Sequence, residues 1–419
     1  MKILNIANNH LLPTFKAGKS ILYTDFDGTF LAQPLYDVYN GSTEAKKQSV
    51  NNFNSYFRNF QDYIEKTNGK FSINITTGRR LNYDDKEGVE PTYLKMKQEG
   101  IIFPKIKSLI TSSGGDIYYF NQNGSIDHTP SKTKASQIKQ ACGWDNEEIK
   151  NTLDDIAKEL ECNYSFTDDR GNYKLSIQIK DSSKINRFYQ KICETLNPKM
   201  NAEIKISDVK VKSKNSHQTT RTKGIKLKPL IGKHHIHKDF DIKIALKNAI
   251  RDNDFLIVAG DADNDKEALN IFKYLKNPPN GFIPTKPTDI TAQYLKQTKK
   301  EIDSLPIKLL FIRPKKTETN PKVLELLNFM EAQQKLFPKK VEIIEKTQIG
   351  KDNNLLDAIK SSTINYAKKN LAFAKKFDKK LYNKQLLKFL VPVLGFLALT
   401  TGILAKFIIG KTNNQKTMI

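Results

Sequence analysis

Two acids, Asp25 and Asp27, sit two residues apart in the segment ILYTDFDGTF. Leu22 to Phe26 reads as a buried strand interrupted at its end by an acid. The period of two along an extended backbone puts both carboxylates on one side. Gly28 and Thr29 then turn the chain where a strand gives way to a loop. Two carboxylates at the C-terminal end of a strand, ahead of a glycine turn, suit a hard cation and a phosphate. The plain alternative is a polar strand end followed by a turn, and the rest of the chain decides between them.

A second stretch, LIVAGDADNDKEAL, repeats the pattern: an apolar strand ends in Gly260 and Asp261, and Asp265 follows four residues later. In a parallel sheet this strand delivers its acids to the edge that holds Asp25 and Asp27. Carboxylates converging there repel one another unless a divalent cation neutralises them. The donors are all oxygen, with no His or Cys inside the motifs, so Mg²⁺ is the expected cofactor. A third stretch, INITTGRR, ends a strand in Thr76, Thr77, Gly78 and Arg79. The hydroxyl of Thr77 and the backbone N–H groups around Gly78 suit phosphate oxygens. A surface β-turn accounts for this stretch equally well, and Arg79 and Arg80 read either as substrate contacts or as solvated side chains.

The elements that must position these residues alternate. Strand-like ILYTDF, a helix-length segment 42–66 with Phe53, Tyr56, Phe57, Phe60 and Tyr63 at helical spacing, strand-like FSINITT (71–77) and SLITSSGGDIYYF (108–120) follow in order. This predicts a doubly wound, Rossmann-like parallel sheet. Residues 121–231 read as an inserted α+β module, with helices over 146–160 and 182–196 and strands over 173–179, 202–211 and 224–231. The sheet pattern then resumes over 232–313, with a helix at 243–250, the DFLIVAGD strand and a last strand IKLLFIR. Residues 1–18 read as a disordered lead-in.

DFDGT, TTGR and GDADND, in this order and with an α/β insert between the second and third, resemble the haloacid dehalogenase superfamily of phosphatases. The position of the insert resembles the Cof-type branch, which includes sucrose-phosphate phosphatase-like enzymes. The resemblance covers residues 19–313, with core at 19–120 and 232–313 and a cap at 121–231. It implies that Asp25 is the nucleophile, forming an aspartyl-phosphate, and that Asp27 is the general acid and base. It implies Mg²⁺ bound by Asp25, Asp261 and Asp27, the last through its backbone carbonyl, with Asp265 and Asn264 ordering the shell. Thr77 and Gly78 would hold the phosphoryl oxygens. A lysine ahead of the helix preceding the GDxxND strand completes the family's set. Lys238 lies 23 residues before Asp261 and Lys223 lies 38 before it. One helix and one strand fit the shorter spacing, so Lys238 is the expected residue and Lys223 the alternative. The implied activity is a Mg²⁺-dependent phosphomonoesterase acting on a small phosphorylated metabolite, a sugar phosphate in the closest reading. The alternatives are a phosphomutase and a membrane-tethered scaffold with a vestigial catalytic domain.

The remaining features bound the context. The net charge is +24, but it comes from 61 Lys against 8 Arg, without a basic-aromatic motif, so nucleic acid is not the expected partner. Cys142, Cys162 and Cys193 are sparse, odd in number and without a CxxC, which points to a reducing compartment. His234, His235 and His237 read as a solvated loop rather than a zinc site. Residues 314–388 carry 17 Lys, no Arg and 8 acids and read as Lys-rich helices. Residues 389–409 are apolar apart from Lys406 and, as one helix, would span roughly 31 Å, enough for a single transmembrane anchor. The lysines of 366–388 would keep the catalytic part cytoplasmic, with 410–419 as a tail. The oligomeric state carries no signal.

Overall fold

A computed structural model describes residues 18–369, apart from 34, 82–87, 113, 168–172, 174, 213–218, 233, 278–291 and 314–320. In chain order the elements are β1 (Ser20–Asp25), α1 (Tyr36–Asn40), α2 (Thr43–Lys66), β2 (Phe71–Thr76), α3 (Val89–Gln98), β3 (Ile106–Thr111) and β4 (Asp116–Tyr119). An inserted module follows, with α4 (Lys132–Cys142), α5 (Asn146–Glu159), β5 (Tyr164–Phe166), β6 (Leu175–Ile179), α6 (Ile185–Leu196), β7 (Ala202–Lys212), β8 (Thr219–Ile231) and β9 (His234–His235). The chain then returns through α7 (Asp239–Asp252), β10 (Phe255–Gly260), α8 (Ala292–Ser304), β11 (Ile307–Arg313), α9 (Pro321–Leu336) and β12 (Val341–Glu345).

The core sheet has the order β12-β11-β10-β1-β2-β3-β4. All pairings are parallel except β3 with β4. β1 and β10 are central and apolar along most of their length because helices cover both faces. α2 starts at Ser42, whose hydroxyl accepts the Ala45 N–H at 3.4 Å, and buries Phe53, Tyr56, Phe57 and Phe60 along one stripe. Phe30, just beyond the DFDGT turn, packs onto that stripe with ring centroids 5.3 Å from Phe57 and 5.6 Å from Phe60. The loop after β1 is therefore anchored in the core at both ends. The inserted module is an antiparallel sheet, order β5-β6-β8-β7 with β9 on β8. Ile149, Leu153, Phe188 and Ile192 of its helices close over Ile177, Ile225 and Leu227.

The structure differs from the sequence reading in three places. First, the core does not end at residue 313. β12 adds a parallel strand beside β11, pairing Leu309 with Val341 through Arg313 with Glu345, and α9 connects the two. β11 is buried along six of its seven residues, and an edge strand that apolar needs a cover. The region 314–388 is thus not wholly helical, although residues 354–362 do form a helix. Second, α4 lies at the joint of the insert and the core; its few apolar residues gave no helical signal. Third, the histidine segment is not a solvated loop: His235 and His237 are half-buried, and β9 closes a short ladder onto β8. Residues 363–369 are also helical. The 389–409 stretch lies outside the described residues, and among the described residues no helix is long and apolar enough to cross a membrane.

Candidate active site

β1, β2, β10, β11 and β12 all run the same way, so their C-terminal ends share one edge of the sheet. Asp25 ends β1 and pairs in register with Thr76, while Gly260 ends β10 beside it. Gly28 turns the chain back with φ +80°, and a Cβ there would stand 2.0 Å from the Asp261 carboxylate. Only glycine permits both the turn and that approach. Next to it, Thr29 donates its hydroxyl to Asp261 Oδ1 at 3.1 Å.

The carboxylates of Asp25, Asp261 and Asp265 offer oxygens that all lie within 4.8 Å of one another. Lys238 stands between them. Its buried ammonium donates to Asp25 Oδ1 and, at 2.6 Å, to Asp265 Oδ1. Lys238 immediately precedes α7, and its backbone rests on the β3–β4 turn. There Gly114 has φ +98°, and a Cβ would come 2.5 Å from the His237 carbonyl oxygen. The close approach at Gly114 is thus the seat that delivers the lysine. Lys223, the alternative, is exposed on β8 and pairs with Asp208 at 3.2 Å, far along the cap ladder.

Asp265 is committed on both oxygens. Oδ2 accepts the N–H groups of Asp261 and Ala262, both at 3.1 Å, and so fixes the loop that presents Asp261. Asn264 is exposed in the same loop. Asp27 is half-exposed and points elsewhere: Oδ1 accepts from Arg79 Nη2 at 2.7 Å, and Arg79 Nη1 donates to Thr92 Oγ1 at 3.1 Å. Thr77 is buried, and its hydroxyl oxygen accepts the Arg79 N–H at 3.1 Å, which leaves its own proton to donate. Gly78 is half-buried in that turn.

Three residues to which the sequence assigned no settled role at the site also reach it. Thr29 was visible within DFDGT. Arg79 was seen, but its pairing with Asp27 required the fold. Lys346 carried no signal. It follows β12 directly, and its ammonium lies 3.9 Å from Asp261 Oδ2. Asp27, Gly28, Gln33, Tyr36, Tyr39, Arg79 and Lys346 are among the residues lining a cleft of about 490 Å³. Among the described residues the histidines form no metal-type cluster. His235 Nε2 faces Glu203 Oε2 at 3.6 Å.

The electrostatics follow from burial. Burial and the neighbouring Asp265 push Asp25 well above the ordinary carboxylate range, with Lys238 opposing. Burial alone would lower Lys238, but Asp265 and Asp25 together outweigh it and hold the ammonium above its usual value. One ammonium shared by two carboxylates stabilises one negative charge, not two. Burial likewise raises Asp27, against Arg79 and Lys238. An all-oxygen cluster of three acids with a single bridging cation is short of positive charge and fits a hard divalent ion.

Burial first and Asp265 second push Asp261 up to about 6 from 3.8, with Lys346 opposing. The folded chain therefore keeps this proton where the unfolded chain has lost it. That contribution to stability is complete below pH 3.8 and gone above about 6. A cation at Asp261 competes with the proton. The thermal upshift with Mg²⁺ relative to EDTA is expected to grow to several degrees as pH rises from about 5 to about 7. Differential scanning fluorimetry checks this; a pH-independent upshift would remove Asp261 from the ligand set.

No family model and no curated protein matches the chain. Among solved structures it is similar to a haloacid dehalogenase-like hydrolase from Bacillus subtilis, at 16% identity over 62% of this chain and 84% of that one, with TM-score 0.34. It is also similar to the sucrose-phosphatase of Synechocystis, at 15% identity over 74% and 98% of the two chains, with TM-score 0.28. A third is the IMP-nucleotidase of Plasmodium falciparum, at 13% identity over 58% and 54%, with TM-score 0.26.

Proposed function

We propose that the protein is a phosphomonoesterase of the haloacid dehalogenase type that hydrolyses a small phosphorylated metabolite through an aspartyl-phosphate on Asp25. The observation that carries this reading is the Lys238 ammonium bridging Asp25 and Asp265, with Asp261 in the same cluster, at the C-terminal edge of a parallel sheet. It joins the motif resemblance of DFDGT, TTGR and GDADND. A Mg²⁺ ion held by Asp25, Asp261 and the Asp27 backbone carbonyl would supply neutralising charge for the phosphoryl oxygens.

In the first step an Asp25 carboxylate oxygen attacks phosphorus, the bond to the leaving oxygen breaks, and Asp27 gives that oxygen its proton. Burial favours the protonated form of Asp27 that this step needs. In the second step Asp27 takes a proton from water, whose oxygen attacks phosphorus. The acyl-phosphate bond breaks, and inorganic phosphate leaves with Asp25 restored. Arg79 holds one oxygen of Asp27, so the carboxyl is oriented through both steps. Thr77 donates its hydroxyl proton to a phosphoryl oxygen, and Lys238 neutralises charge on the reacting carboxylate and phosphoryl group.

The inserted sheet caps the site and chooses the substrate, for which the sucrose-phosphate phosphatase-like resemblance favours sugar phosphates. The test is turnover of p-nitrophenyl phosphate and a sugar-phosphate panel by the full chain. Activity with Mg²⁺ that EDTA removes is expected. No turnover of any compound would favour a binding protein with a vestigial domain.

A further inference from the structure

Lys346 stands out among the cations of the cleft beside Asp27. Arg79 is committed, with one nitrogen on Asp27 and another on Thr92. Lys346 is three-quarters buried, yet among the described residues its ammonium makes no hydrogen bond. Its ion-pair neighbour, Asp261, is 3.9 Å away, beyond hydrogen-bond reach. The ammonium opens onto the cleft, where an acceptor on a ligand can reach it. The space beside it, about 490 Å³, is of the size that small ligands occupy. The rest of the wall is suited to an organic group, with Gln33, Leu31, Leu35 and Tyr36 among its residues. Lys346 also owes its place to β12, the strand beyond the end of the motif resemblance.

We propose that Lys346 binds a second anionic group on the substrate, so that the preferred substrates are phosphomonoesters whose leaving group carries a carboxylate or another phosphate. This rests on the phosphatase reading and narrows it. The ammonium sits beside the metal-type cluster, on the wall of the cleft that Asp27 also lines. A leaving group there places its own anion within reach of Lys346 while its ester oxygen faces Asp27. A charge-assisted contact of this kind discriminates by about tenfold or more.

The test compares matched substrates. Glycerol 3-phosphate and 3-phosphoglycerate differ in a neutral against a carboxylate terminus. Glucose 6-phosphate and glucose 1,6-bisphosphate differ in a hydroxyl against a phosphate. For each pair the ratio of kcat/KM, anionic over neutral, is measured in the full chain and in Lys346→Gln and Lys346→Arg. A ratio that falls about tenfold or more in Lys346→Gln, mostly through KM, and recovers in Lys346→Arg supports the proposal. The pair that responds identifies carboxylate or phosphate as the ligand. If Lys346 instead holds the transferring phosphoryl group, both members lose activity together and the ratio stays constant, which overturns the proposal. Turnover of p-nitrophenyl phosphate reports separately on the phosphatase reading. If that fails, calorimetric affinities of the same pairs for wild type and Lys346→Gln decide, and an unchanged affinity ratio overturns the proposal.

Discussion

Replacing Asp25 by Asn is expected to abolish turnover while leaving the protein folded. The amide is nearly isosteric with the carboxyl but is not a nucleophile, so the rate should fall on the order of 10⁴-fold or more. The fold should tolerate the change because it removes one of three clustered carboxylates and thereby relieves like-charge repulsion. Lys238 retains Asp265 at 2.6 Å, so its ammonium stays paired. The melting temperature in EDTA should therefore hold or rise, while the Mg²⁺-induced upshift shrinks. Steady-state kinetics and thermal melts on the same preparation separate chemistry from folding. A well-folded Asp25→Asn variant keeping more than about a tenth of wild-type activity would remove Asp25 as nucleophile.

The largest effect on stability is expected at Lys134. Its ammonium lies 2.5 Å from Asp241 Oδ1, and both side chains are almost fully buried. Lys134 comes from α4 on the insert side and Asp241 from α7 on the core side. The ammonium also lies 3.9 Å from the centroid of the Phe240 ring. Burial lowers the pKa of Lys134 and raises that of Asp241, each against the pull of the partner. Neither charge is therefore comfortable alone. Lys134→Met would leave the Asp241 carboxylate buried and unpaired, a loss of about 3–5 kcal/mol. Lys134→Met combined with Asp241→Asn should recover most of it, because no lone charge remains. Denaturant midpoints of the two singles and the double decide the point. A single-variant loss under about 1 kcal/mol would mean that the pair does not hold the joint. Asp241 is three residues from Lys238, so the loss should also reach activity.

The strands that carry chemistry were readable because each is an apolar run that stops at an acid, a threonine or a glycine. β1, β2 and β10 end at Asp25, Thr76 and Gly260 for that reason. The α2 stripe was readable from its aromatic spacing. β12 was not: VEIIE is five residues long and stands among lysines, so it resembles surface until β11 requires a neighbour. α4 was hidden because a lysine, Lys134, occupies one of its buried positions. Lys346 is one lysine among 17 in its region, and only tertiary contact distinguishes it. Asp27 and Arg79 were both noted, but nothing along the chain shows that 52 residues of sequence close into an ion pair.

The central place of β1 has a consequence for synthesis. One side of β1 pairs with β2 within some 50 residues, but the other waits for β10, about 235 residues later. At ribosomal speeds that interval lasts roughly 12–50 s. Throughout it the strand bearing Asp25 has a free edge, open to mispairing or to a chaperone. The insert, whose strands are local and antiparallel, can form during the wait. The slow step in acquiring activity should thus be the docking of β10 beside β1, which brings Asp261 to Asp25.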